Sequence, residues 1–423
     1  MKKKHVVVIG GGFGGLSVVH RLRNAPVTLT LIDRQNHHLF QPLLYQVAVG
    51  ALSPADVATP LRFIVRNQKN IDLIMDEVVA VDRPARRVTM AGGQSIAYDN
   101  LIIATGNQPT YFGHDQWRKR APGLKNLSDA MEIRERLYLA FEKANRLDHP
   151  AARKPFLTFV IVGGGPTGVE LAGSIAEIGA RVLQNEFRNL GPTEIKVILV
   201  EGGDRLLASF HPSLSAVALE NLQSLNVEVH LNTYVQEITN DHIIAGSVTY
   251  LSENVIWAAG NEASPLLKTL NTPLDKAGRA IVEPDLSLPD DPDVFVIGDA
   301  AACADLSKKS ANPPALLPGV AQVAMQQGRY VANLALLNLP KNKRRAFHYN
   351  NKGDMATIGR SRAIGDIRGF RFSGFFAWLL WCGIHVFSLI SSRNRFRVFT
   401  EWFWYYITFQ PGARLIYRNF DSK

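Results

Sequence analysis

Two stretches of this sequence place three glycines in the spacing G-x-G-x-x-G directly after an apolar run, and that repetition constrains the fold more than any other feature. The first is V-V-V-I-G-G-G-F-G-G-L, with Gly10, Gly12 and Gly15; the second is F-V-I-V-G-G-G-P-T-G-V-E, with Gly163, Gly165 and Gly168. In each, the apolar run reads as a buried strand, the glycines as a tight turn, and the following residues as a helix. Gly10 permits the turn, Gly12 lets the backbone approach a pyrophosphate, and Gly15 lets helix and strand pack closely, with Phe13 and Gly14 completing the loop. Phosphates placed there meet unpaired N–H groups and the positive end of the helix dipole.

Each unit also carries an acid where a ribose would sit. Asp33, followed by Arg34, ends the next strand 18 residues after Gly15. Glu201 closes V-I-L-V-E in the second unit, beyond the usual spacing of about 20 residues, which implies a longer crossover helix from Pro166 to about Leu190. A carboxylate favours NADH because it repels a 2′-phosphate, and Gly202 and Gly203 follow it rather than an arginine. A bare βα turn, and a preference for NADPH, are the alternatives.

Further strands follow the same plan. Asn100–Gly106 ends in Ala104-Thr105-Gly106, Val255–Gly260 ends in Ala258-Ala259-Gly260, and Val294–Ile297 runs into Gly298-Asp299. The expected class is therefore α/β: two Rossmann-like dinucleotide-binding domains plus a C-terminal amphipathic, membrane-anchoring helical segment. The boundaries expected are 1–120 with 275–340 for FAD, 121–274 for NADH, and 341–423 for the anchor. Two nucleotide sites on one chain imply nucleotides that react with each other, NADH giving hydride to a flavin. Asp299 would hold the flavin's ribityl and phosphate region, or serve only as a turn aspartate. A helix from about Pro318 to Leu337 would aim its positive N-terminus at the flavin ring.

Composition narrows the setting. At 423 residues the chain suits two or three domains, and 46% hydrophobic with 20% charged residues is a globular balance. Two distant cysteines, Cys303 and Cys382, make no disulfide framework and no metal-ligand spacing, which fits a reducing compartment. Lys2, Lys3 and Lys4 precede only four apolar residues, too few for a signal peptide. The net charge of +10 is uneven: Lys341–Lys423 holds 15 Lys/Arg against four Asp/Glu, and the first 340 residues are nearly neutral. Nucleic acid or anionic lipid could answer such a patch; the aromatic and aliphatic residues between the charges favour lipid.

That tail includes Phe375–Ile390, 16 residues without a formal charge. As a helix it would be about 24 Å long, short of the roughly 30 Å hydrocarbon core. Arg368, Arg371, Arg393, Arg395 and Arg397 flank it, and Trp402-Phe403-Trp404-Tyr405-Tyr406 follows. Lying in the membrane interface, with contact over 371–410, is the better reading; a buried core helix or a dimer contact is the alternative.

Taken together, A-Q-V-A-M-Q-Q-G (Ala321–Gly328), H-H-L-F-Q-P-L-L-Y-Q-V-A (His37–Ala48) and G-P-T-G-V-E (Gly165–Glu170) resemble the signature blocks of type II NADH dehydrogenases, the non-proton-pumping NADH:quinone oxidoreductases. The resemblance implies that Gln322 and Gln326, which share a helix face at i and i+4, stand where flavin meets quinone, Gln322 also touching FAD. It implies that Glu170 sits beside nicotinamide and flavin and moves protons, and that Thr167 belongs to the NADH loop. The backbone of Val79 would meet the adenine, Thr105 and Gly106 would form the flavin-side turn, and Gly260 its nicotinamide-side partner. Asn261-Glu262 departs from the smaller or basic pair common in relatives, which bears on the nicotinamide entrance.

The activity so implied is hydride transfer from NADH to tightly bound FAD, then two electrons to a membrane quinone. The enzyme would be a homodimer on the cytoplasmic face of the inner membrane, held at the phospholipid surface and without a nucleic-acid partner. Disulfide reductases and sulfide:quinone oxidoreductases need cysteines by the flavin, and residues 34–60 contain none. An NADH reductase of a small electron-carrier protein, or a flavoprotein that senses NADH at the membrane without turning over, are the competing readings.

Overall fold

The computed structural model describes residues 3–181, 186–187, 189–191, 194–307, 315–408, 410 and 412–416. Five helices matter for function: α1 (Phe13–Arg21), α2 (Pro166–Arg181), α3 (Ala321–Leu337), α4 (Phe375–Ser388) and α5 (Ser392–Thr408). The chain divides into two compact units, one made of 1–38, 59–108 and 261–351, the other of 39–58, 109–260 and 352–423.

The first unit is built on a six-stranded sheet. Its order is Ser287–Leu288, Asp291–Val296, Asn100–Ile103, Lys4–Ile9, Val27–Asp33 and Ile71–Met75. All pairings are parallel except the first. Alternate residues explain the unbroken apolar runs. Val6 and Val8 pack with Leu16 and Val19 of α1 and Val331 of α3. Val7 and Ile9 pack on the opposite face with Ile103 and Val296. A strand buried on both faces cannot alternate polar and apolar residues. Helices α1 and α3 approach closely because Gly328 faces Gly14: a Cβ on Gly328 would lie 2.4 Å from the Gly14 carbonyl oxygen.

The second unit repeats the plan with four parallel strands, ordered Val227–His230, Lys196–Val200, Thr158–Val162 and Asn254–Trp257. It also holds a three-stranded antiparallel sheet of Asp354–Thr357, Ala363–Ile367 and Phe370–Gly374 that leads into α4 and α5.

Two sequence expectations change, and a third runs into residues outside the described ones. The helix expected from Pro318 begins at Ala321, with Val320 in extended conformation at its N-cap. The crossover helix expected to reach Leu190 is described as far as Arg181, and 182–185 lie outside the described residues. The tail read as one helical segment contains the sheet just named, and the segment Leu39–Ala58 belongs to the same unit as the tail. Among the described residues no helix is long and apolar enough to cross a membrane.

Candidate active site

The two glycine turns are built to one design. Gly10 and Gly163 stand at φ +102° and +111°, a region that L side chains rarely enter. A Cβ on Gly15 would lie 1.8 Å from the Gly10 carbonyl oxygen, and one on Gly168 would lie 1.9 Å from that of Gly163. The middle glycines differ: a Cβ on Gly12 or Gly165 would meet no atom within 4 Å. The close approaches hold each helix against its strand, while the middle position opens onto free space.

An acid completes each cradle in the same way. Asp33 Oδ2 accepts the N–H of Gly11 at 2.5 Å and Oδ1 that of Gln35 at 2.7 Å. Glu201 Oε2 accepts the N–H of Gly164 at 2.5 Å and Oε1 that of Gly203 at 2.6 Å. A carboxylate oxygen has two lone-pair sites, so each acid fixes its loop and can still accept a ribose hydroxyl. Burial pushes the Asp33 carboxyl up, while the N–H groups of Gly11 and Gln35 oppose that rise.

The remaining residues expected in the first unit gather round the same loop. Gly10 abuts Ala104 and Thr105. The Thr105 hydroxyl is buried without a hydrogen-bond partner among the described residues, and Gly106 stands at φ +68° with open space beside it. Asp299 accepts from the Asn107 amide at 2.7 Å, and Gly298 lies against Ala324 of α3. Val79 falls in a register shift of its strand, between the pairs Val78–Met90 and Ala80–Thr89, which leaves its backbone out of the ladder. Arg34 is on the surface, 3.9 Å from Glu77. An open glycine, an unpartnered buried hydroxyl and a carboxylate with spare acceptor capacity fit a dinucleotide.

The paired glutamines have different surroundings. Gln322 lies in the first turn of α3 and is half-buried. Gln326 is committed to the main chain: its amide donates to the Asn350 carbonyl and accepts the Asn350 N–H, both at 3.0 Å. The buried Gln327, given no role from sequence, accepts the Gly298 N–H at 2.6 Å and pins that turn to α3. His38 was also missed. Its Nδ1 lies 3.1 Å from the Gly11 carbonyl, which can only accept, and Phe13 packs edge-on against its ring. Burial brings His38 down to about 4, so the ring is neutral at physiological pH.

In the second unit, Thr167 and Glu170 occupy the first turns of α2, and Gly260 turns at φ +69° against Phe112 and Thr110. Glu170 Oε1 accepts the Thr357 N–H at 3.3 Å. Glu170 is half-buried, yet the protein packed around its carboxyl pushes it up to about 8. Tyr45, from the block His37–Ala48, donates to or accepts from the Thr357 hydroxyl at 3.1 Å and receives the Gln46 amide at 2.9 Å. Gln46 in turn accepts the Trp402 indole N–H at 2.6 Å. Tyr45, Gln46 and Trp402 line a pocket that is partly open to solvent. Its lining joins aromatic rings (Trp378, Trp381, Trp402, Tyr405) with polar groups (Gln46, Ser174, Glu177, Arg360).

Known proteins with this plan are numerous. Residues 4–328 match the family model described as pyridine nucleotide-disulphide oxidoreductase, and 351–408 match the NDH2 C-terminal domain. Two Mycobacterium tuberculosis proteins, named type II NADH:quinone oxidoreductase NdhA and Ndh, are 41% and 39% identical. They align over 95% of this chain and 86% and 88% of their own lengths. The structure of NDH2 from Plasmodium falciparum in complex with NADH superimposes with TM-score 0.88 at 21% identity, covering 99% of this chain and all of that one. By these matches the chain belongs to the type II NADH:quinone oxidoreductase family.

Proposed function

We propose that this protein oxidises NADH and reduces a membrane quinone, with FAD as the carrier between them and without proton pumping. The observation that carries the reading is the duplication of one cradle, with open glycine and acid, in two units of a single chain. FAD supplies a reversible two-electron acceptor, which NADH can load and a quinone can unload. Gly10–Gly15, Asp33, Thr105, Gly106 and Asp299 hold the FAD, with Arg34 and the Val79 backbone toward its adenine end. Gly163–Gly168 and Glu201 hold the NADH, with Gly260 at its nicotinamide end. Glu201 selects against a 2′-phosphate by like-charge repulsion.

Gln322 borders the quinone from the positive end of α3, where a developing negative charge on the acceptor is favoured. Gln326 supports that end through Asn350. Glu170 is protonated at neutral pH and donates a proton to the reduced acceptor.

Attachment to phospholipid follows from the tail. Phe376, Phe387, Phe396, Phe399, Phe403 and Ile407 on α4 and α5 are each more than half exposed, an apolar surface that lipid would cover. Arginines at 371, 393 and 395 would meet headgroup phosphates. The reading is completed by a homodimer on the cytoplasmic face of the inner membrane, the side on which NADH is generated.

Rapid mixing tests the activity. NADH should bleach the flavin absorbance of the FAD-loaded protein, and a short-chain quinone should restore it without oxygen. Flavin that stays reduced under excess quinone would leave a reductase of another carrier, or a sensor.

A further inference from the structure

Helix α2 is buried along most of its length, and its exceptions fall in line. Between Gly168 and Gly179 the residues that keep exposed surface are Glu170, Ser174 and Glu177, all others being buried. Their i, i+4, i+7 spacing puts them on one face, and Glu177 stands about 10 Å along the axis from Glu170. All three can exchange or relay protons.

The strand Asp354–Thr357 and its turn run along that face and fix both carboxyl groups. Glu170 accepts the Thr357 N–H at 3.3 Å, and Glu177 accepts the Arg360 N–H at 2.7 Å. Ser174 lies between them and donates its hydroxyl to the main-chain carbonyl of Glu170 at 2.8 Å. Ser174 and Glu177 line the pocket, whereas Glu170 lies beyond its lining residues. Water in that pocket would find Ser174, Glu177 and the Gln46 amide as partners, enough to hold it in place.

The reaction needs such a route. Oxidation of NADH by a quinone consumes one proton from solvent: NADH and H⁺ with quinone give NAD⁺ and quinol. The nicotinamide C–H bond breaks, two quinone O–H bonds form, and the hydride carries only one of the two hydrogens. A single carboxyl that gives its proton to the quinone must be recharged before the next turnover.

We propose that Glu177 is a second proton station: it takes protons from water at the pocket and passes them through Ser174 and pocket water to Glu170. This rests on the reading of the chain as a quinone reductase with Glu170 as the proton donor. Each carboxyl ends a cycle in the state in which it began, so no further reactant is required. The charged or titratable groups that line the pocket together with Glu177 are Arg360 from the turn, Tyr405 and Tyr406 from α5, Cys382 from α4, and Tyr45.

Glu177→Gln separates relay from support, because the amide oxygen can still accept the Arg360 N–H while the side chain no longer carries a proton. The full-length, FAD-loaded protein on phospholipid vesicles is mixed first with NADH and then, anaerobically, with a short-chain quinone. Flavin reduction by NADH should stay within about twofold of wild type, and reoxidation by quinone should slow at least about tenfold. Its solvent deuterium isotope effect should rise, and formate, a small weak acid, should restore part of the rate. Ser174→Ala should show the same selective slowing to a smaller degree. Wild-type reoxidation in both variants, equal loss in both half-reactions, or slowing that formate does not relieve would overturn the relay. Wild-type flavin that quinone cannot reoxidise would overturn the parent reading as well, so the two failures are told apart.

Discussion

Glu170 shows how one side chain's surroundings set its chemistry. An ordinary glutamate titrates near 4.5, and packing around this carboxyl pushes it up to about 8. Burial disfavours the charged form, and the single Thr357 N–H does not offset that. The sign follows from linkage: with the folded value raised, stability is undiminished below about 4.5 and is lost as pH rises through about 8. Glu170→Gln removes the titration. The variant's melting temperature should therefore pull ahead of wild type between about pH 5 and pH 8. Quinone-dependent reoxidation should fall through the same upper range in wild type and be slow and flat in the variant. A melting-temperature gap constant with pH would show that Glu170 is not perturbed in this way. Tyr45, beside it, is raised by burial and by the Glu170 charge, so its hydroxyl keeps its proton throughout.

Among elements, α4 and α5 carry faces of opposite character. The inner face is specific: Trp402 donates to Gln46, the Asn394 amide donates to the Ala58 carbonyl at 3.4 Å, and Arg397 Nε lies 2.9 Å from the buried Asp56 carboxylate. Deleting the tail would strand those partners, so loss of function in a truncated chain would say little about lipid. The outer face allows a cleaner test. Phe387, Phe396 and Phe403 are 75%, 71% and 61% exposed, so replacing all three by serine removes little that the fold buries. Full insertion of each ring is worth about 1.5–3 kcal/mol. Co-sedimentation with anionic vesicles should drop at least about a hundredfold, while reduction of flavin by NADH in solution is unchanged. Undiminished vesicle binding would move the anchor elsewhere.

Legibility also divides by element. The glycine turns and Asp33 could be read because geometry leaves few alternatives where a Cβ would come within 2 Å of a carbonyl. The sheet over Asp354–Gly374 could not, because A-I-G-D-I-R-G-F-R-F-S-G mixes charges and glycines into strands of four and five residues. Gln326 reads like Gln322 on a helix face, and only the position of Asn350 shows its amide held by the main chain. Ser174 and Glu177 look like ordinary helix residues until the burial of their neighbours sets them apart.

At the scale of the whole molecule, charge and duplication carry the account. The basic excess lies in the last fifth of the sequence, the part that also holds the exposed aromatic face, while the cradles occupy a nearly neutral remainder. One turn design serves both units and differs in its acid, Asp33 in one and Glu201 in the other. The central claim is that each cradle holds its own nucleotide. Gly12→Ala and Gly165→Ala test it most directly, because the added Cβ meets no protein atom within 4 Å in either unit and the fold should be untouched. Flavin content and the NADH concentration that half-reduces the flavin are measured for both purified variants. Gly12→Ala should lose most of its flavin. Gly165→Ala should keep a full complement and need at least about tenfold more NADH. Full flavin and unchanged NADH dependence in both variants, or loss of flavin from Gly165→Ala, would contradict the account.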